Sequence, residues 1–266
     1  MVPNVAEPAL DMELISHLTE FSAPQILDSG WTVSIDTHFL GGLRHFYNKW
    51  EIADIGLLVH YRKNGKLVRS KAAILQSKRL YPQSGSVKED MRIDYEIGFG
   101  RLADPEPIPP LYSKSTFRFD EDSRYEALKA HDDQFKAIKQ FMVQSKVPVF
   151  YQFYNPAELP WEQTFPLTKK SRKIRSYDFA TRVMRASEVI ARLKDKPKSY
   201  SPSVLDLSPD SSSMGWRLEA FIADLIRCKE GLVFTDIAEA DIFSLFNRRS
   251  GPIAAAVAFS VEMPAD

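Results

Sequence analysis

The stretch ADIGLLVHYRKNGKLVRSKAAILQSKR, from Ala53 to Arg79, constrains the fold more than any other part of the chain. Two apolar runs flank Asn64-Gly65, a dipeptide that favours a tight hairpin because both residues tolerate positive φ. The stretch therefore reads as two antiparallel strands. The second run closes on Gln76 and Lys78, which side-chain alternation sets on one face of the strand. Asp54 opens the first run, and the turn decides which face it joins. A strict two-residue loop of Asn64 and Gly65 would pair Asp54 with Leu75 and point it away from Gln76. A three-residue loop, Lys63-Asn64-Gly65 with the glycine left-handed, would pair it with Ile74 and bring it to Gln76 and Lys78. The sequence suits the three-residue turn, since lysine tolerates the first turn position and Gly65 supplies positive φ.

Around this hairpin the chain alternates helical and extended signals. Leu14, Ile15, Leu18 and Phe21 predict a helix from about Leu10 to Leu27, with Pro24 a candidate break. WTVSIDTHF then has strand composition. From Tyr81 to about Asp122 the chain is rich in Pro and Gly, predicting an irregular insertion at about 82–122. Ser123 and Glu126 have capping-box spacing, and Tyr125, Leu128, Phe135, Ile138 and Met142 continue it as the apolar stripe of a long helix. VPVFYQFY gives a strand that Asn155 and Pro156 stop. Further on, helices are expected over Phe179–Leu193 and around Leu218, Phe221, Ile222 and Leu225, and IAAAVAFSVE is a candidate final strand. The expected fold is α/β: a core with a mixed central sheet over residues 1–160 and a C-terminal α/β extension of unknown role over 161–266.

An early helical glutamate, an aspartate opening a strand, a hairpin and a (D/E/Q)xK tripeptide, in α-β-β-β-α-β order, resemble the PD-(D/E)xK nuclease superfamily. The Mrr-like restriction endonucleases are the nearest flavour, with Gln76, Ser77, Lys78 and Arg79 as the QxKR motif. The resemblance covers roughly the first 155 residues. Ala53 stands where Mrr-like members commonly have the Gly-x-Asp context, and the long Pro-rich insertion is a second departure. The resemblance implies a restriction-endonuclease-like αβββαβ core with Asp54 as the motif aspartate. The early acid would be Glu13 or Glu20, seven residues apart on one helix face. It also implies a nuclease, endo- or exo-acting, that hydrolyses DNA, in a prokaryotic restriction or defence setting.

The chemistry is coherent apart from the name. Phosphodiester hydrolysis needs charge neutralisation on the phosphate and a water made nucleophilic near neutral pH, and Mg²⁺ (or Mn²⁺) supplies both. Asp54, the Gln76 amide oxygen and Glu13, with Glu20 as alternate, would be the hard oxygen ligands such a cation prefers. Lys78 would orient or deprotonate the water, or hold the phosphate as a cation. The plainer reading of Gln76 and Lys78 is a strand end emerging into solvent, with Lys78 and Arg79 guarding an edge. Asp54 would then cap a turn, and Asp36 is a rival ligand. A second functional class is a non-catalytic nucleic-acid-binding or scaffolding protein with a degenerate nuclease fold; a third is an unrelated α/β protein in which the tripeptide is chance.

The 35 Lys and Arg balance the 35 Asp and Glu, so no global field pulls the chain onto nucleic acid or an anionic membrane. A local patch would have to serve. Lys169, Lys170, Arg172, Lys173 and Arg175 form one candidate for nucleic-acid binding, against the plainer reading of a solvated loop. Aromatic residues from Phe150 to Trp161 are better explained by core packing than by base stacking. His38, His45 and His60 match no metal-ligand spacing, and a lone Cys228 excludes an internal disulfide and cysteine-rich metal sites. With no signal-like segment and no apolar run of the roughly 20 residues that span a bilayer, the expectation is a cytoplasmic protein without a membrane partner.

Overall fold

The structure is a computed structural model that describes residues 5–40, 52–83, 115–145, 147–165, 177–208, 214–227, 229–234, 245–246 and 253–264. The first helix, α1 (Glu7–Thr19), starts with a proline in its first turn, where no backbone N–H is lost, and buries Asp11 and Ile15. It is followed by β1 (Gln25–Ile26), β2 (Thr32–Phe39), β3 (Ala53–Lys63) and β4 (Lys66–Arg79). Next come β5 (Ser115–Phe119), α2 (Asp133–Ser145), β6 (Val149–Tyr154), β7 (Glu158–Leu159), β8 (Trp161–Phe165), β9 (Tyr177–Asp178) and β10 (Arg182–Arg185). The remainder holds α3 (Ala186–Arg192), α4 (Val204–Leu207), β11 (Trp216–Arg217), α5 (Leu218–Ile226), β12 (Leu232–Phe234) and β13 (Ile253–Met263).

Among the described residues, nine strands form one mixed sheet in the order β1-β2-β13-β3-β4-β6-β10-β11, with β12 also on β4. The fold is therefore α/β with a large central sheet. β3 and β4 are antiparallel, whereas β4 and β6 are parallel and joined through a crossover containing α2. Helices cover both faces. Phe135, Ile138 and Phe141 of α2 and Val189 of α3 pack with Ile74, Val149, Tyr151 and Phe153 on one. Ile15 of α1 and Phe221 and Leu225 of α5 pack with Ile55, Leu57, Leu75 and Phe150 on the other. Phe150, Tyr151, Phe153 and Tyr154 are buried, as core packing required.

The hairpin forms, but its expected turn does not. Lys63 pairs with Lys66 around a two-residue loop, and Asn64 (φ 52°) and Gly65 (φ 73°) both adopt the left-handed conformation of a type I′ turn. The extra residue lies in the strand instead. Tyr61 pairs with Arg69 and Arg62 with Leu67, which leaves Val68 as a β-bulge on β4. Beyond the bulge Ile55 pairs with Leu75, and one further step sets Asp54 opposite Gln76.

One other expectation needs correction. No helix begins at Ser123: α2 starts at Asp133, after turns over 121–132. The backbone there is committed to distant partners rather than to helical ones, with Tyr125 N–H donating to Pro202, Ala130 N–H to Tyr200 and Val204 N–H to Ser123. His131 (φ 59°) then breaks any helical run, and Asp132 caps α2 by accepting from Phe135 N–H at 2.8 Å. Residues beyond 160 also contribute strands to this sheet. β10 pairs with β6, β12 with β4, and β13 runs between β2 and β3, parallel to β3.

Candidate functional site

The C-terminal end of β4 carries four consecutive polar residues that are almost fully buried: Gln76, Ser77, Lys78 and Arg79. Buried polar groups cost free energy unless hydrogen-bonded, and here the neighbouring elements supply partners. Gln76 Nε2 donates to Asp54 Oδ2 at 2.5 Å, and Ser77 N–H donates to the same oxygen at 2.6 Å. Gln134, in the first turn of α2, donates to Gln76 Oε1 at 3.4 Å. Lys78 Nζ meets Glu7 Oε2 at 3.4 Å, and the other Glu7 oxygen accepts from Arg79 N–H at 2.9 Å. The Arg79 guanidinium lies 3.9 Å from the centre of the Tyr81 ring.

Ser77 faces the opposite side of the sheet. Its hydroxyl donates to Asp11 Oδ1 at 2.5 Å, and the Tyr154 hydroxyl donates to the same atom at 2.7 Å. Burial pushes the Asp11 carboxyl up to about 6, with the two hydroxyls and Lys78 opposing the shift and Glu7 adding to it. Burial, followed by the adjacent Asp11 charge, raises the Tyr154 phenol. Burial also raises Asp132 above the ordinary carboxylate range, while its hydrogen bond from Phe135 N–H and the charge of Lys78 pull it down. Three carboxylates thus feel one lysine at the strand end: Glu7 in contact, and Asp11 and Asp132 through its charge.

The structure brings Asp54 and Gln76 into contact, and Lys78, two residues further along β4, bonds Glu7 instead. The structure does not bring in Glu13 or Glu20, which are exposed on α1. The acids of α1 that reach β4 are Glu7 and Asp11, one helical turn apart on the face that also buries Ile15. Pro8 is the sequence signal that reveals them: read as a first-turn proline, it starts the helix early enough to include Glu7. Asp36 is exposed on β2. His38 is exposed, and His60 bonds Ser70 Oγ at 2.7 Å, its pKa lowered by burial and by Arg62. His45, Cys228 and the basic residues Lys169, Lys170, Arg172, Lys173 and Arg175 lie outside the described residues.

Among the described residues no group of three or more His, Cys, Asp or Glu side chains is disposed to hold a metal ion, and no helix is long and apolar enough to cross a membrane. The donors at the strand end are nonetheless hard oxygens of the kind Mg²⁺ takes: the Asp54 and Glu7 carboxylates and the Gln76 amide. The amide now turns its N–H₂ toward Asp54; rotated about its terminal bond, it would present the oxygen. No family model, curated protein or solved structure matches the chain.

Proposed function

We propose that the end of β4 is the active site of a metal-dependent phosphodiesterase, a nuclease with a restriction-endonuclease-like core and DNA as the favoured substrate. The observation that carries this reading is the hydrogen bond between the Asp54 carboxylate and the Gln76 amide at the end of β4, with Lys78 two residues further along the same strand. α1, β2, β3, β4, α2 and β6 also follow one another in the expected order, with the β3–β4 hairpin antiparallel and β6 parallel to β4. One departure is that β13 separates β2 from β3.

Asp54, Gln76 and Glu7 would hold the cation, which when bound would neutralise phosphate charge and lower the pKa of a water. Glu7 holds the Lys78 ammonium at the strand end, where it would act as the cation toward a bound phosphate. Gln134 holds Gln76 in place from α2. A second reading, a nucleic-acid-binding or scaffolding protein with a degenerate site, is favoured by one specific observation. Asp54 Oδ2 already accepts two short hydrogen bonds, and Gln76 and Lys78 are only 2% and 3% exposed.

Cleavage of plasmid and single-stranded DNA, with and without Mg²⁺ or Mn²⁺, separates the two. Asp54→Asn, Lys78→Met and Glu7→Gln should each slow metal-dependent cleavage by about 10²-fold or more, whereas Glu13→Gln and Glu20→Gln leave it unchanged. DNA binding without cleavage by the wild type supports the second reading. Equal cleavage by wild type and Lys78→Met rules out this site.

A further inference from the structure

On the other face of the sheet, α1 and α5 do not close over the strands. Between them lies a cavity of about 400 Å³, walled by Leu14 and Leu18 of α1 and Ile222 of α5 and floored by Leu57 and Leu75. This volume is in the range of small-molecule sites. The walls are preformed, because α5 is pinned at its C-terminal end: Lys71, fully buried, donates to Leu225 O at 3.2 Å, and the Tyr61 hydroxyl donates to Ile226 O.

Of the three polar side chains that line this space, His17 and Glu219 are exposed and only Gln152 is buried. Gln152, on β6, borders the cavity at 0% exposure, and neither its amide oxygen nor its amide nitrogen has a hydrogen-bond partner, so a side-chain rotation would carry the amide into the cavity and to a ligand. An unsatisfied buried polar group costs about 1–3 kcal/mol, so an amide with both ends open is a substantial penalty. A glutamine offers one acceptor and two donors in a plane. Its complement is a planar group with an adjacent donor and acceptor. That complement is also uncharged: Gln152 brings no charge to neutralise an ion in apolar surroundings, the exposed Glu219 stands at the rim, and the strand neighbour Ser77 is bonded to the Asp11 carboxyl.

We infer that the cavity between α1 and α5 is a binding site for a neutral small molecule with an apolar body and a primary-amide or lactam head, the head paired with Gln152. The inference does not rest on the phosphodiesterase reading, because none of the residues proposed for that chemistry lines the cavity.

The test uses octanamide, N,N-dimethyloctanamide and octanoate as probes of the full chain, with binding followed by calorimetry and ligand-observed NMR. Octanamide should bind about tenfold more tightly than its dimethyl analogue, which has lost both donors, and octanoate at neutral pH should bind more weakly still. In Gln152→Met, a near-isosteric change that removes both unsatisfied groups, the preference should vanish while the thermal midpoint stays at or above that of the wild type. Ile222→Trp, which fills the cavity from α5, should abolish binding of all three and serves as a control if Gln152→Met does not fold. No octanamide binding up to its solubility limit, equal binding of octanamide and its dimethyl analogue, or a crystal structure with Gln152 bonded to water alone in the presence of octanamide would overturn the inference.

Discussion

Asp11 is the side chain whose environment differs most from what its residue type expects. In the unfolded chain it titrates near the ordinary 3.8, and in the fold near 6, because burial disfavours the charged form. A carboxylate raised in this way binds more protons folded than unfolded between those values. Its contribution to stability is therefore lost as pH rises through that window, by at most about 3 kcal/mol. Asp11→Asn keeps an oxygen to accept from Ser77 and Tyr154 and cannot ionise. Urea unfolding from pH 4 to pH 8 should find the variant about 1–3 kcal/mol more stable than wild type above pH 7, with the advantage shrinking toward pH 4. An advantage that stays constant across the range would show that another group carries the effect. Glu7 escapes a reading that looks for glutamates inside an apolar helix because it sits before Leu10, where the helical pattern begins, and Asp11 escapes it because it is an aspartate. Gln76 and Lys78 do not escape it, because charge at the end of an apolar strand conflicts with its surroundings in the sequence itself.

The hairpin shows why element-scale geometry is harder to read than residue type. β3 and β4 are apolar on both faces over most of their length, so either register buries the same kinds of side chain, and the pattern cannot choose between them. The choice is made by Val68, an unremarkable residue in sequence that is about half exposed and leaves the ladder. Inserting one alanine after Val68, with the single-residue bulge kept, should shift the ladder by one and set Asp54 opposite Leu75, separating it from Gln76. Cleavage or metal-dependent activity should then be lost even where circular dichroism shows the sheet retained. Gly65→Ala makes the contrast: nothing lies within 4 Å of the added methyl, so its cost is only the positive φ of 73°, roughly 1–2 kcal/mol. That variant should lose stability to thermal unfolding while keeping the register and the activity. The segment 121–132 failed for the complementary reason. Tyr125 and Leu128 have helical spacing and are buried, but the partners that hold them, around Pro202 and Tyr200, are some seventy residues away in the chain.

Strand order is the least local property of all, and β13 illustrates what remains legible even so. Ile253, Val257, Phe259 and Val261 are buried, and the strand is paired on both sides, to β2 and to β3. A continuous apolar run of small and branched residues is the signature of a strand covered on both faces, which argues for an interior position over an edge addition. That signal was present in IAAAVAFSV; its neighbours were not, because nothing in the run identifies β2 and β3 as partners. Each of those four side chains is worth about 1.5–3 kcal/mol on burial, and together they match the whole net stability of an ordinary domain. A chain ending at Gly251 should therefore fail to fold, leaving β3 with an open edge and β2 with only the two-residue strand β1. The fragment 1–160 should fail as well, since it also lacks the β10 and β12 partners of β6 and β4. Soluble yield and near-ultraviolet circular dichroism of both fragments check this. A synthetic peptide of residues 252–264 should restore native signal to the longer fragment, because it supplies both the pairing to β3 and β2 and the four buried side chains of the missing strand. Cooperative folding of 1–160 alone would mean that the strand-end site can assemble without the sheet that now surrounds it, and the C-terminal strands would then be a covering and not a foundation.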